Sequence, residues 1–406
     1  MTSAGKDRPG RPKSTLAAGL LASCAAIALS AALAGCSGET CRHGVCTRPA
    51  SAPQSAPAAA GAPAWPGWPG APAAAALTVG TPASLPLAAG GDLGALAVSP
   101  DGTRLLAVDS GGDVRQWDLR TGAARTLPSL PAYASDPGGA LFGLAISPDL
   151  QTLAAAGTSD VVLQQAATGT QSADVSFSFG TNFTGSVGQP GAAFSPDGRL
   201  LAYNDSHGNV YLLDPATQQA QVLRSPKALP DYQVAGTEAL AFSPDGTRLA
   251  VGTYTGTIYL WDVPAHRLLA TLTDPADTSP DKQFTGTAAI DALAFGENGG
   301  LLASGDQNGN VYLWNTAERR VSGALAGSPA ISSAGAGQIA FSPSGALLAA
   351  SFGDGTIRVW SVATGRRLAD LTGANAAAVG PIAFALGGQL LVSLENTGEI
   401  TEWKLR

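Results

Sequence analysis

The residues best equipped for chemistry are few and sit close to the N-terminus. Cys36, Cys41 and Cys46 follow one another within a short stretch, the last two as Cys41-Arg42-His43-Gly44-Val45-Cys46. Thiols at this spacing can pair as a disulfide in an oxidising compartment, remain free, or join His43 around a metal. Three ligands fall short of a closed zinc cage, so a Cys41–Cys46 disulfide is the preferred expectation and no metal site is expected. No cysteine occurs beyond Cys46.

Elsewhere the chemical inventory is thin. The chain lacks a phosphate-cradling loop ending in Lys, an HExxH pair and a GxSxG elbow. His207 lies in a Gly turn beside Asp205, and a solvated turn residue explains it better than a general base. His207 and His266 are too few for a histidine-based metal centre. Asp109-Ser110-Gly111-Gly112-Asp113 and Asp306-Gln307-Asn308-Gly309-Asn310 space oxygen ligands at alternate positions, but their Gly is misplaced for a calcium loop. Gly335-Ala336-Gly337 precedes a strand and not a helix, so it is no dinucleotide fingerprint. The expectation is a protein that is not an enzyme and carries no cofactor. A formal charge of -7, with no basic stripe, also argues against nucleic acid or an anionic lipid surface as ligand.

What the chain does contain is repetition. A short apolar strand with central Ala is followed, at 43- to 53-residue intervals, by Ser99, Ser147, Ser195, Ser243, Gly296, Ser342 and Ala385. Three copies continue as Ser-Pro-Asp-Gly and the others as a variant of it, most followed by Leu-Ala and then a Gly-centred turn into an alternating strand such as Thr257-Ile258-Tyr259-Leu260-Trp261. Pro fixes the first turn angle, and Asp and Gly close the turn. A weaker fourth strand ends each copy, near Leu127, Leu223, Leu272, Leu325 or Leu371. One copy cannot bury its own apolar face, so copies must stack. Seven copies of four strands predict an all-β fold, a seven-bladed β-propeller over 78–406. The final copy stops after its third strand, while Gly80 to Leu87 forms an orphan strand before the first. Pairing of that N-terminal strand with the C-terminal blade would close the ring.

Trp117-Asp118, Leu213-Asp214, Trp261-Asp262, Trp314-Asn315, Trp360-Ser361 and Trp403-Lys404, each behind its Gly turn, resemble the WD40 family. Trp117, Trp261, Trp314, Trp360 and Trp403 are then structural anchors. The chain departs from that family where Gly-His should precede the first strand. The family's turn Asp survives only as Asp354, so apolar packing is expected to replace the buried polar network. Copy two, with Gln164-Gln165 in place of Trp-Asp, is expected to be the weakest.

Residues 1–35 read as a signal peptide, with Lys6, Arg8, Arg11 and Lys13 before an apolar stretch. Leu33-Ala34-Gly35-Cys36 resembles the bacterial lipobox, which implies acylation of Cys36, including a palmitate-type chain, and a cell-envelope lipoprotein on the periplasmic or cell-surface face. Ordinary cleavage after Ala34 and retention as an uncleaved anchor are the rival readings. Residues 36–77 then form the lipid-anchored segment and an Ala/Pro-rich linker, a semi-extended spacer in which Trp65 and Trp68 could dock on a partner or on lipid.

The links between copies are long and unequal, which marks them as functional or disordered. They offer Tyr133, Asp136, Phe177, Phe179, Phe183, Asp231, Tyr232, Asp274, Asp277, Asp281 and Phe284 as candidate partner-binding residues, aromatic anchors among carboxylates. The WD40 resemblance implies that these links share a rim with the mid-blade Gly turns. The expected function is a monomeric, noncatalytic scaffold that binds other envelope proteins or peptides. The alternatives are a propeller enzyme, a cofactor- or metal-binding ring, and a cell-wall glycan binder.

Overall fold

A computed structural model describes residues 40–42, 45–47, 65, 67–68, 71–72, 74, 77–86, 95–109, 112–130, 143–156, 160–176, 191–204, 209–224, 237–276, 289–325, 336–372, 379–395 and 399–406. The chain divides into two units, Met1–Gln54 and Ser55–Arg406. In the first, Thr40–Arg42 and Val45–Thr47 form an antiparallel pair in which Cys41 lies opposite Cys46. Directly opposed residues of an antiparallel pair are about 4.5 to 5.5 Å apart at Cα, inside the range a disulfide requires.

The second unit holds seven four-stranded antiparallel sheets. Six are built from consecutive strands and span 95–127, 143–176, 192–223, 237–273, 290–325 and 336–372. The seventh joins Val379–Ala385, Leu390–Glu395 and Glu399–Lys404 to Ala83–Pro86 from the start of the unit. Numbered in that order, they are the blades of a propeller.

Its middle strands explain why one copy cannot stand alone. Leu301–Asp306 is buried at every position and Thr257–Asp262 at four of six. Both faces of each sheet are therefore covered, as a blade between two blades must be. The core follows the same logic and is divided among the seams. Leu106, Val108, Leu153 and Ala155 fill the seam between blades one and two. Leu105, Ala107, Leu390 and Val392 fill the seam between blades seven and one. The cluster at that last seam makes the ring closed.

The closing strand is antiparallel to the last one, with Ala83 opposite Glu402 and Pro86 opposite Glu399. Below it the pairing continues: the Gly80 amide donates to the Lys404 carbonyl at 2.9 Å and the Arg406 amide donates to the Thr78 carbonyl at 2.9 Å. Pro86 is tolerated because this strand is the outer edge of its blade.

The five anchor tryptophans, Trp117, Trp261, Trp314, Trp360 and Trp403, are all buried. In blade two, Gln164 takes the same register position, opposite Leu153 as Trp117 is opposite Leu105. It is also buried, and its amide donates to the carbonyls of Pro128 and Ser129, both at 3.2 Å. A satisfied amide thus occupies the space an indole takes elsewhere, and it fastens the link arriving from blade one.

Candidate functional site

Antiparallel strands send alternate turns to opposite rims. The turns between first and second strands, and between third and fourth, form one rim. The turns between second and third strands share the other rim with the links between blades.

The first rim is a repeated, self-contained device. In blade two, Ser147 Oγ donates to Asp149 Oδ1 at 2.6 Å, Asp149 accepts the Gln151 amide at 3.0 Å, and the Thr152 amide donates back to Ser147 Oγ at 2.8 Å. Blades one, three and four repeat the Ser-to-Asp bond. The hydroxyl of Ser99 and the amide and hydroxyl of Thr103 hold Asp101 down to about 2. Ser195 and Ser243 likewise hold Asp197 and Asp245 below the usual carboxylate range. These polar groups are consumed by their own turns.

Asp109 and Asp306, the heads of the two calcium-like segments, act in the same way on the other rim. Asp109 Oδ1 accepts the Asp113 amide at 2.9 Å. Asp306 accepts the Asn310 amide and side-chain amide, both at 2.7 Å. Burial nevertheless pushes the Asp306 carboxyl up to about 6. Among the described residues no three His, Cys, Asp or Glu side chains are grouped to hold a metal. The Asp109 and Asp306 carboxylates serve the turn. Gly335-Ala336-Gly337 runs into Ala336–Phe341, the first strand of blade six, so no helix follows it.

On the link rim the described links begin by packing onto the mid-blade turns. The Leu130 amide donates to the Gly112 carbonyl at 2.8 Å and the Asp274 amide to the Gly256 carbonyl at 2.8 Å. Asp274 is the one candidate partner-binding residue among those described, and it is buried. Its Oδ1 accepts the Ala276 amide at 2.7 Å, so it caps the start of its link. Burial and the nearby charges of Asp274 and Asp306 raise the phenol of Tyr312 above its ordinary range. Tyr133, Asp136, Phe177, Phe179, Phe183, Asp231, Tyr232, Asp277, Asp281 and Phe284 lie outside the described residues, as do Cys36 and His207. His266 is an exposed turn residue with φ 48° in blade four.

Buried polar contacts persist in blades five, six and seven, the last through the Thr401 hydroxyl donating to Glu395. Trp314 Nε1 donates to Ser304 Oγ at 2.8 Å. Asp354 accepts the Thr356 amide and pairs with Arg358 at 2.8 Å. Burial opposes the charged form of Asp354, but those hydrogen bonds and the guanidinium outweigh it and hold the carboxyl below its usual value. Arg358 also lies over the Phe352 ring, 4.2 Å from its centre, which pins the cation inside blade six.

The expectation of a free spacer does not extend to Trp65. That residue is buried among side chains of blades five and six, and it stacks on Trp68 with ring centres 6.2 Å apart. The signal for this contact was available as a glycine, Gly323, in an otherwise ordinary strand.

Comparison with known proteins agrees with this geometry. The family model "WD domain, G-beta repeat" matches residues 235–262, 278–315 and 332–361, which cover the first three strands of blades four, five and six. A search of curated proteins finds no match. Among solved structures, the crystal structure of the β-propeller domain of Cps50 (Swd1) from Myceliophteria thermophila is similar, with a TM-score of 0.60 and 18% identity. The similarity covers 80% of this chain and 98% of that one, and at this identity it speaks to the fold. The chain is a seven-bladed β-propeller in which three repeats match the WD40 family model.

Proposed function

We propose that this propeller is a noncatalytic binding platform for other proteins, held on a bacterial cell envelope by a lipid on Cys36. The observation that carries the reading is the contrast between the two rims. One rim repeats the same self-capped Ser-Asp turn in blades one to four and spends its polar groups internally. The other bears links at 128–142, 177–191, 224–236, 274–289, 326–335 and 373–378, which differ in length and sequence from blade to blade. Repetition is what a scaffold needs, and variation is what recognition needs. WD40 propellers in general mediate contacts between proteins, and the anchor is supported by the basic leader, the apolar stretch and Leu33-Ala34-Gly35-Cys36.

Two measurements test it. Cells fed an alkyne fatty acid should label the wild-type chain and not Cys36→Ser. Affinity purification of the full chain from membranes should recover partner proteins that are lost when 177–190 is replaced by a short Gly-Ser bridge. A labelled Cys36→Ser chain would overturn the anchor, and unchanged recovery across all link replacements would overturn the binding rim.

A further inference from the structure

The seam between blades five and six differs from the other six in what fills it. Trp65 is 7% exposed and belongs to the same apolar cluster as Leu301, Leu313 and Leu325 of blade five and Leu348, Trp360 and Val362 of blade six. Its amide donates to the Ala324 carbonyl at 3.0 Å, which extends the outer edge of blade five. Its indole N–H donates to the Val362 carbonyl at 2.8 Å, and the Trp68 amide reaches the same carbonyl at 3.3 Å. Both N–H groups of Trp65 are therefore satisfied, one by each blade.

The ring is cut to receive it. A Cβ on Gly323 would stand 2.6 Å from Trp65 Cα, and one on Gly365 would stand 2.6 Å from Trp65 Cδ1. Gly365 has a positive φ that its turn requires in any case, but Gly323 does not. Gly323 pairs with Leu313 in the fourth strand of blade five. The matching position holds Arg125 in blade one, Gln221 in blade three, Ala270 in blade four and Ala369 in blade six. Nothing in the strand asks for glycine there except the approaching tryptophan. The segment is shaped in turn, since Gly67 has φ 96° and a Cβ on it would collide with the Ala363 carbonyl.

We propose that the seam between blades five and six is an indole-binding site whose ligands are the chain's own Trp65 and Trp68. The N-terminal segment is then bound to the ring well before the closing strand begins at Ala83. Any tension applied upstream of Trp65 enters at this seam and spares the closing strand. The Val362–Gly365 turn and Gly300, which lies against Trp68, belong to the rim opposite the links. If the anchor reading also holds, the tether reaches the ring on the rim opposite the links; the site itself does not depend on that reading.

Hydrogen exchange on the full chain tests the site directly. In the wild type the amides of Trp65, Trp68 and Ala71 should exchange slowly, independent of protein concentration. Gly323→Leu fills the groove, and Trp65→Ala with Trp68→Ala removes the occupant; each should abolish that protection while Leu390–Glu395 of blade seven keeps its own. Should Gly323→Leu also expose Leu301–Asp306, the double tryptophan variant, which changes no residue of a blade, decides the matter. Wild-type amides that exchange as fast as those of the double variant would overturn the proposal. So would protection that persists in a folded Gly323→Leu chain. Protection that vanishes on dilution would assign the ligand to a second copy and overturn the intrachain site.

Discussion

Trp314 donates its indole N–H to the Ser304 hydroxyl at 2.8 Å, and blade five is the blade in which a described anchor tryptophan makes that bond to a strand neighbour. In blades four and six the register places Val251 and Ala350 where Ser304 stands, and the indole N–H groups of Trp261 and Trp360 are buried without a partner. Ser304→Ala should therefore destabilise the protein by about 1 to 3 kcal/mol, the usual consequence of stranding a buried donor. Ala350→Ser should do the reverse in blade six, by about 0.5 to 1.5 kcal/mol. Denaturant midpoints at unchanged slope measure both, and equal stability of all three chains would show that the bond contributes nothing.

Gln218, His266 and Arg319 occupy turns between third and fourth strands with φ of 60°, 48° and 56°. Blades one, two and six place Gly122, Gly169 and Gly365 at the corresponding bend. Replacing His266 or Arg319 with Gly should raise stability by about 1 kcal/mol, because a left-handed conformation disfavours any side chain. Leu150 is the instructive exception. It has φ 60° where other first turns use Gly, yet it is buried in the seam between blades one and two. Leu150→Gly should destabilise, since the lost apolar contact outweighs the relieved backbone. Thermal melts of the three variants should move in these two opposite directions.

The pH dependence has two opposing parts. Asp306 is raised to about 6 in the folded chain, from an ordinary 3.8. The folded state then binds more protons than the unfolded state between those values, so stability falls as pH rises from about 4 to about 6. Burial raises Glu402 as well, with Lys404 opposing, and adds to the same slope. Asp101, Asp197 and Asp245 are depressed, and their contribution is present above the unfolded value and lost as pH falls below it. Melting temperature against pH should show a decline from 4 to 6 that becomes shallower in Asp306→Asn. An identical slope in that variant would remove Asp306 from the explanation.

Ring closure depends on Ala83–Pro86 and Glu399–Lys404 meeting in one sheet, with Leu85 opposite Ile400 and both against the core of blade seven and blade one. Removing 399–406 deletes the third strand of blade seven and orphans Ala83–Pro86. The truncated chain should fail to give a cooperative melt. A full-stability transition would contradict closure by this pair.

Most of the scaffold was readable because each copy states it again. The apolar-Ala-apolar strand, the Ser-Pro-Asp-Gly turn and the Gly before the third strand recur with the same physics, so an error in one copy is corrected by the others. Gly80 to Leu87 was legible as a closing strand for the same reason, as the missing fourth member of a known set. What repeats cannot disclose is whatever occurs once. Trp65 sits in a tract of Ala, Pro and Gly whose composition says spacer, and its partner Gly323 lies far away in sequence. Asp274 reads as an exposed loop carboxylate until its bonds to Ala276 and Gly256 show it buried beneath the link. The Ser304 to Trp314 bond was hidden by the absence of the family's Gly-His, which made the whole polar network look discarded.

The central claim is that partners meet the link rim and not the turn rim. Photocrosslinking in intact cells tests it, with a photoreactive residue placed at Phe183 or Tyr232 in the links, or at Thr121 or Thr217 in the turns of the opposite rim. Protein adducts should form from the two link positions and be absent from the two turn positions. Adducts confined to Thr121 and Thr217, or equal from both rims, would contradict the account.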